Sequence, residues 1–307
     1  MDRRRPPRRV LGVAGLVVAA VLAGCSGTPG ASDPAETPGG STTTASPGVP
    51  APTATTTATP EPTPEPEPGT VAPPWLGTRP LPARADGTAA PQPTPTELDP
   101  RRLTSPDALP ALPGDGYASE VTAPAPADVV ERSTWREGCP VAARDLAWVR
   151  VAFVGFDDAR HTGELLVATD VADDLVEVFA ALYAARFPIE EMRVTTAAEL
   201  DAEPTGDGNN TESFVCRATT GGGRFSQHAY GTALDVNPFQ NPYDKGTGSA
   251  RVVIPELATS YTDRGVVRPG MVLADDAVVD AFAAIGWEWG GAWQRSKDYQ
   301  HFSRNGL

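Results

Sequence analysis

Histidine, cysteine and basic residues are all scarce in this sequence. Histidine and cysteine occur three times each in 307 residues, and Lys and Arg together number 25 against 39 acidic residues. The resulting net charge of −14 argues against a nucleic-acid partner and against a polybasic membrane contact. Long apolar runs are also missing, since the longest, residues 10–23, is shorter than the ~20 residues of a transmembrane helix. Any metal site must therefore use very few side chains.

The first 24 residues have the layout of a secretory signal. Five arginines between residues 3 and 9 precede the apolar run, which ends in the sequence Leu-Ala-Gly-Cys at residues 22–25. This ending resembles a bacterial lipobox, in which cleavage leaves Cys25 as a lipid-modified N-terminus. We therefore predict a lipoprotein signal peptide over 1–24 and a protein anchored by lipid to the outer face of the cell membrane. An ordinary signal peptide with a chance cysteine is the alternative.

The two other cysteines are candidates for a disulfide. With Cys25 assigned to lipidation, Cys139 and Cys216 form an even pair in an oxidising compartment. Neither belongs to a CxxC motif, which makes a thiolate zinc site a poor match. We predict a bridge between them, with two free or metal-binding thiols as the alternative.

Composition divides the rest of the chain in two. Residues 26–112 are rich in Pro, Thr, Ala and Glu and contain almost no aromatic residues. Such a segment buries too little apolar surface to offset its ordering entropy. The sequence therefore predicts a disordered tether over 25–113, lipidated at Cys25, and a single folded domain over 114–307.

The predicted domain mixes helices and strands without βαβ regularity. A strand over 146–154 with a hairpin partner over 163–168 is followed by a helix from a cap at Asp170 to about residue 186. A second helix is expected from about residue 275 to 285, with Gly286 just after its end. Shorter strands are predicted over 192–195, 214–217, 233–236 and 299–302. We expect an α+β domain with a small antiparallel sheet and flanking helices.

Two of the three histidines occur in settings typical of metal ligands. His228 is followed by Asp235, and His301 is preceded by Asp298 in an Asp-x-x-His pattern. Two imidazoles, one carboxylate ligand and one spare carboxylate are the components of a catalytic zinc site. A loop histidine and a turn aspartate are the alternative for the first pair. His161 lacks ligand spacing and is interpreted as a hairpin-turn residue.

Small residues surround the first pair. Gly231 and Ala233 fit a place where the backbone passes close to a metal or another strand. If Leu234 and Val236 point into the core, alternation along the strand turns Ala233 and Asp235 toward the site.

These motifs resemble a known family. Residues 226–235, followed by Asn-Pro-Phe-Gln-Asn-Pro-Tyr at 237–243, resemble the D-alanyl-D-alanine carboxypeptidase-like zinc peptidases. That group includes vancomycin-resistance D,D-carboxypeptidases and L-alanyl-D-glutamate endopeptidases, and it shares a fold with lysostaphin-type enzymes and the hedgehog signalling domain. Residues 289–302 particularly resemble the endopeptidase-like branch. The similarity extends from about residue 135 to 302 and implies a hedgehog/DD-peptidase fold.

The resemblance implies a role for each motif residue. His228, Asp235 and His301 would bind one Zn²⁺, and Asp298 would serve as general base and acid. Arg217, which precedes the first motif, would polarise the scissile carbonyl, although a salt-bridged structural arginine is the alternative.

Three further assignments stay open. Some relatives have Glu at the base position, and Glu288 is the rival base in this sequence. Ser226 and Tyr230 either contact substrate, support the metal ligands or serve only the local structure. The tryptophans at positions 287, 289 and 293 either pack around the zinc site or form a substrate wall.

The function expected from these features is zinc-dependent hydrolysis of peptidoglycan stem peptides by an extracytoplasmic monomer. D,D-carboxypeptidase and L,D- or D,D-endopeptidase activities both fit, and the loop over 238–270 is expected to decide between them. A non-catalytic zinc-stabilised module that binds cell wall or protein is the main alternative, and hydrolysis of a small molecule such as a peptide antibiotic is a weaker one. Asp298 and Arg217 favour an enzyme, because neither is needed to hold the metal.

Overall fold

The computed structural model describes residues 66–82, 84, 89–219 and 222–307. The predicted signal peptide and the lipidation at Cys25 lie outside these residues. Within them, no helix combines the length and the apolar character needed to cross a bilayer.

The described chain is α+β, as predicted. Its four helices are α1 Ala127–Arg132, α2 Ala172–Ala184, α3 Ala197–Leu200 and α4 Ala277–Ala284. Its strands are β1 Ser119–Thr122, β2 Leu146–Val154, β3 Arg160–Ala168, β4 Glu191–Met192, β5 Asn210–Thr211, β6 Ala233–Asp235, β7 Tyr243–Lys245, β8 Val252–Ile254, β9 Glu288–Trp289, β10 Ser296–Asp298 and β11 His301–Ser303.

The strands form several small sheets rather than the single antiparallel sheet that we predicted. Three antiparallel sheets have the strand orders β1-β2-β3, β10-β7-β8 and β6-β11-β9, while β4 and β5 make a short parallel pair. The predicted β2–β3 hairpin is present, with Leu146 opposite Ala168 and Val154 opposite Arg160. The other strands are only two to four residues long, so each sheet is small.

The main core lies between the β2–β3 hairpin and the two longer helices. The apolar face of α2 is buried in this core, namely Leu175, Val178, Phe179 and Leu182. Phe282 of α4 stacks on Phe302 of β11, with ring centroids 3.9 Å apart. Because Phe302 lies directly after His301, this stacking fixes the strand that carries a candidate ligand.

The ends of the helices differ partly from expectation. A 3-10 turn over Thr169–Val171 precedes α2, and Asp170 lies within this turn, so its side chain does not cap the helix. In α4, Asp276 is the cap and accepts hydrogen bonds from the backbone N–H groups of Val278 and Val279. Gly286 follows that helix with φ +82°, as predicted.

Two of the predicted strands are wrong or shorter than expected. Residues 214–217 are not a strand, because their backbone groups bond to several segments rather than to one neighbouring strand. Phe214 N–H donates to Leu166, and Val215 N–H donates to His228. The strand predicted over 192–195 overlaps the observed strand β4 at Met192 alone.

The predicted tether boundary at residue 113 is too late in the chain. Residues 89–112, here called the N-terminal strap, pack on the domain, with Leu98 and Leu103 buried against Phe239 and Tyr261. Partly buried apolar side chains between residues 75 and 81 join the same cluster. The few apolar residues between the prolines pack against apolar side chains of the domain. The composition of the segment does not predict this contact.

A buried ion pair also anchors the strap. Arg101 is only 3% exposed and forms a bidentate salt bridge with Glu190. Its guanidinium also donates to the backbone carbonyl of Asp207. A buried pair of this kind is costly to break, because one charge would be left without its partner.

The predicted disulfide joins Cys139 and Cys216, whose Cα atoms are 6.0 Å apart across a sequence separation of 77. It packs in a small apolar cluster with Trp135 and Phe214. The bridge therefore fixes the backbone directly before Arg217.

Candidate metal centre

Strand pairing brings the candidate ligands together. His301 of β11 lies directly opposite Asp235 of β6, and His228 comes from the 3-10 turn just before β6. Asp235 Oδ1 is 3.0 Å from His301 Nδ1 and 3.2 Å from His228 Nε2, and the two nitrogens are 3.2 Å apart. All three residues are buried. The sequence motifs, far apart in the chain, thus meet in one cluster.

Local backbone geometry explains the position of His228. Ser226 caps the 3-10 turn by accepting a hydrogen bond from the His228 N–H. Gly231 ends the turn with φ +65°, and a Cβ on it would lie 2.5 Å from the backbone nitrogen of Ala168. Only glycine suits this combination of left-handed backbone and close contact with β3. The backbone at Gly231 thus passes close to a strand, which is one of the two possibilities that the sequence left open.

Alternation along β6 turns Asp235 toward the cluster, as predicted. Its neighbours Leu234 and Val236 are both buried in the main core, so the side chain between them points to the opposite face.

Hydrogen bonds define which nitrogen of each imidazole carries the proton. His228 Nδ1 lies 2.7 Å from the carbonyl oxygen of Ser213, and His301 Nε2 lies 3.1 Å from that of Leu307. Because these backbone oxygens can only accept, both nitrogens donate, and in neutral rings the other two nitrogens carry lone pairs. Together with Asp235 Oδ1, three acceptor atoms face one another. Such a cluster is stabilised by a shared cation.

The pKa shifts agree with this electrostatic picture. Burial alone would raise the pKa of Asp235, but the charges and hydrogen bonds of His228 and His301 outweigh it and lower the pKa. Burial lowers the pKa of His301, yet its hydrogen bond to Asp235 and the charges of Asp235 and Asp298 outweigh this and raise it. The cluster thus favours an ionised carboxylate together with positive charge.

The donor set and its spacing fit zinc. Ligands about 2.0–2.1 Å from a tetrahedral ion lie roughly 3.3 Å from one another. The three observed separations, 3.0, 3.2 and 3.2 Å, are close to this value. Two imidazoles and one carboxylate also leave a fourth position free, as in catalytic zinc sites. Zinc would be held by Nε2 of His228, Oδ1 of Asp235 and Nδ1 of His301.

The cluster lies at an open cleft of about 530 Å³. Among the residues that line it are Arg217, Tyr230, Asp298 and Gln300. The structure therefore places the predicted catalytic residues, Arg217 and Asp298, beside the predicted ligands.

Asp298 is the spare carboxylate of the cleft. It is the last residue of β10 and lies opposite Tyr243 of β7. Its Oδ1 atom is buried and has no hydrogen-bond partner in the described part of the chain. Burial raises its pKa to about 6; the charge of Asp235 adds to the rise, and that of His301 opposes it. A carboxylate with such a pKa can both accept and return a proton near neutral pH.

The other candidates occupy different places. Arg217 lines the cleft directly after the disulfide, and Tyr230 stands at the rim with 40% of its surface exposed. Glu288, the rival base, is exposed, is absent from the residues that line the cleft, and has its carboxylate against Gly306.

The three tryptophans divide between core and cleft. Trp287 is buried in the main core and Trp289 packs against it. Trp293 instead lines the cleft, with its ring centroid 5.6 Å from that of His301. His161 lies away from the cluster at the start of β3, between the carboxylates of Asp107 and Asp157.

Several residues at the site were missed by the sequence analysis. Tyr243, Ile254 and Gln300 line the cleft, and the carbonyls of Ser213 and Leu307 hold the two imidazoles. Tyr243 falls within the motif over 237–243, which was a usable signal. The contacts of the two backbone oxygens leave no signal in the sequence, because every residue type offers the same backbone oxygen.

Comparison with known proteins gives one match. Residues 220–304 match a family described as D-alanyl-D-alanine carboxypeptidase. No curated protein and no solved structure matches the chain. The matched span, less than a third of the chain, contains His228, Asp235, Asp298 and His301 but not Arg217. Over this span the chain is similar to the D-alanyl-D-alanine carboxypeptidase family.

Proposed function

We propose that the protein is a zinc-dependent peptidase that hydrolyses peptidoglycan stem peptides outside the cell membrane. One observation carries the proposal: two imidazole nitrogens and a carboxylate oxygen converge in an open cleft that also holds the buried Oδ1 of Asp298, an atom with no hydrogen-bond partner among the described residues. The family match supports the peptide substrate, and the disulfide is typical of an oxidising compartment.

In this proposal Asp298 moves the proton. Zinc held by the cluster would lower the pKa of a bound water toward about 7 and polarise the substrate carbonyl. The ionised carboxylate of Asp298 accepts the proton of the attacking water. The same carboxyl group then returns a proton to the departing amine.

Arg217 stabilises the charge that develops on the substrate. Its guanidinium lines the same cleft as Asp298 and donates hydrogen bonds to the carbonyl oxygen as that oxygen becomes negative. The disulfide at Cys216 limits the movement of the backbone that carries it.

A non-catalytic module remains the competing function. Such a module needs the three ligands alone, whereas this cleft also holds a buried carboxylate oxygen with no partner in the described residues. Leaving that atom unpaired costs free energy, which favours a role in proton transfer over a purely structural one.

The test uses the full-length protein with defined muropeptides. Disaccharide pentapeptides report D,D-carboxypeptidase activity, and cross-linked dimers report endopeptidase activity, both by mass spectrometry. Replacing Asp298 by Asn should lower kcat by roughly 10²–10⁴-fold while zinc remains bound stoichiometrically. Glu288→Gln is the matched control and should retain activity. Wild-type protein that binds zinc but releases no product would support the binding module.

Lipidation of Cys25, attachment to the outer face of the membrane and a monomeric state belong to the same proposal. Mass spectrometry of the mature N-terminus tests the first, cell fractionation the second and analytical ultracentrifugation the third.

A further inference from the structure

Each of the two imidazoles in the cluster is held by a hydrogen bond on the side that faces away from the cluster. In each ring, the nitrogen that faces away from the cluster donates to a backbone carbonyl. For His228 the acceptor is Ser213, whose hydroxyl in turn donates to the carbonyl of Ala233 in β6. For His301 the acceptor is Leu307, which lies beyond the end of β11. The position of this second acceptor therefore depends on a short turn rather than on a sheet.

Reciprocal hydrogen bonds to one serine fix that turn. The hydroxyl of Ser303 donates to the carbonyl oxygen of Leu307 over 3.1 Å and accepts from the Leu307 N–H over 3.0 Å. Ser303 is itself fully buried, and it pairs with Ala233 in the same sheet as the ligands. The position of the Leu307 carbonyl is thus tied to the strand that carries His301.

The middle of the turn has a left-handed backbone and one further hydrogen bond. Gly306 has φ +70°, and a Cβ on it would lie 2.6 Å from a carboxylate oxygen of Glu288. Trp293, which lines the cleft, donates from its indole nitrogen to the Gly306 carbonyl over 3.1 Å. The turn is therefore defined by its own side chains and by the wall of the cleft.

This arrangement bears on the tautomer of the neutral His301 imidazole. A ring that donates from Nε2 to the Leu307 carbonyl keeps its Nδ1 lone pair directed at Asp235 and His228. If the acceptor moved, the neutral ring could place its proton on Nδ1 and donate to Asp235 instead, since these atoms are only 3.0 Å apart. That alternative would occupy the lone pair that a metal needs.

We propose that the turn over residues 303–307, fixed by Ser303, is a positioning device that keeps His301 in the Nε2–H tautomer and aims its Nδ1 at the metal. This inference rests on the proposed zinc site, but it concerns residues outside the ligand set. Partners of this kind alter metal affinity by about 10–100-fold when they are removed.

The experiment compares three variants of the full-length protein. Ser303→Ala removes the two hydrogen bonds between the Ser303 hydroxyl and Leu307 and leaves only the longer contact of the Leu307 N–H with Asn305 Oδ1, at 3.3 Å. Gly306→Ala disturbs the same turn through its backbone. Arg304→Ala is the matched control, because its side chain lies in the same turn but pairs with Asp170 on the exposed surface. Zinc affinity is measured by competition with a chromophoric chelator. In the metal-free protein, ¹⁵N NMR reports the tautomer of each imidazole.

Ser303→Ala and Gly306→Ala should bind zinc about 10–100-fold more weakly than wild type, and His301 should show a mixture of tautomers. Arg304→Ala should match wild type in both measurements. The inference is wrong if folded Ser303→Ala and Gly306→Ala bind zinc as tightly as wild type and retain one tautomer. Wild-type protein that binds no zinc would instead overturn the proposed function, while the tautomer of His301 would still test the turn.

Discussion

Gly231 is the residue at which backbone geometry bears most directly on the metal centre. It combines φ +65° with a space too small for a Cβ next to Ala168. Replacement by Ala should therefore cost both the left-handed strain, about 1–2 kcal/mol, and the free energy of separating the turn from β3. We expect Gly231→Ala to lower the free energy of unfolding by more than about 2 kcal/mol in chemical denaturation and to weaken zinc binding.

Gly286 provides the matched control for this prediction. Its φ is +82°, but nothing lies within 4 Å of the position of its Cβ. Gly286→Ala should thus show the backbone strain alone and leave zinc binding unchanged. Equal losses of stability in the two variants would contradict the importance of the contact with β3.

The residues of the proposed metal centre were predictable from the sequence, and the groups that hold their side chains were not. His228, Asp235 and His301 carry side chains whose chemistry limits their roles, and only three histidines were available. Ser213 and Leu307 act through carbonyl groups, which have no signature in a sequence. Side-chain chemistry is therefore visible at the residue scale, and the geometry that fixes its protonation is not.

At the scale of elements, the N-terminal strap is the main departure from the sequence-based prediction. The β2–β3 hairpin was predictable because its apolar residues are concentrated in one continuous run. The strap has few such residues, and its burial depends on Phe239 and Tyr261, which lie far along the chain. No local pattern reports a surface formed by distant residues.

Leu98 tests whether the strap belongs to the folded domain. Its side chain is fully buried, so Leu98→Ala should lower the free energy of unfolding by about 2–5 kcal/mol. Val267→Ala is the control, because Val267 is 63% exposed and its truncation should change stability by less than about 0.5 kcal/mol. If the strap were instead part of a disordered tether, Leu98→Ala would change the free energy of unfolding in urea as little as the control does.

His161 links the strap to the β2–β3 hairpin in a pH-dependent manner. Its ring nitrogens lie 2.8 Å from Asp107 of the strap and 3.0 Å from Asp157 of the hairpin loop. Burial lowers the pKa of His161, but the two carboxylates outweigh this effect and raise it above its usual value. The charged ring therefore stabilises the fold fully below about pH 6.5, and this contribution is lost as the pH rises through the raised pKa.

The corresponding measurement compares wild type with His161→Gln between pH 5.5 and 8.5. The difference in free energy of unfolding should be largest at acidic pH, on the order of 0.5–1 kcal/mol, and should shrink as the pH rises. A difference that grows with pH would show that the neutral ring, not the ion pairs, supports the strap.

At the scale of the whole molecule, the disulfide and the metal centre constrain neighbouring parts of one segment. Cys216 is bonded to Cys139, and His228 meets Asp235 and His301. Each constraint joins residues that are far apart in the sequence and whose contact composition alone does not predict. Their pairing was predictable because cysteines and histidines are so few, whereas the path of the chain between them was not.

These two constraints should stabilise the fold independently. Replacing both cysteines by Ser opens the loop that the disulfide closes across a sequence separation of 77. This change should lower the free energy of unfolding by about 4.5 kcal/mol on the chain-entropy estimate. Zinc at 100 times its Kd should add about 2.7 kcal/mol to wild type and to the double variant alike, because it binds only the folded cluster. Calorimetry with zinc or with a chelator measures both effects. Asp235→Asn should lose the zinc increment but keep that of the disulfide; an undiminished zinc increment in this variant would place the stabilising ion outside the His228–Asp235–His301 cluster.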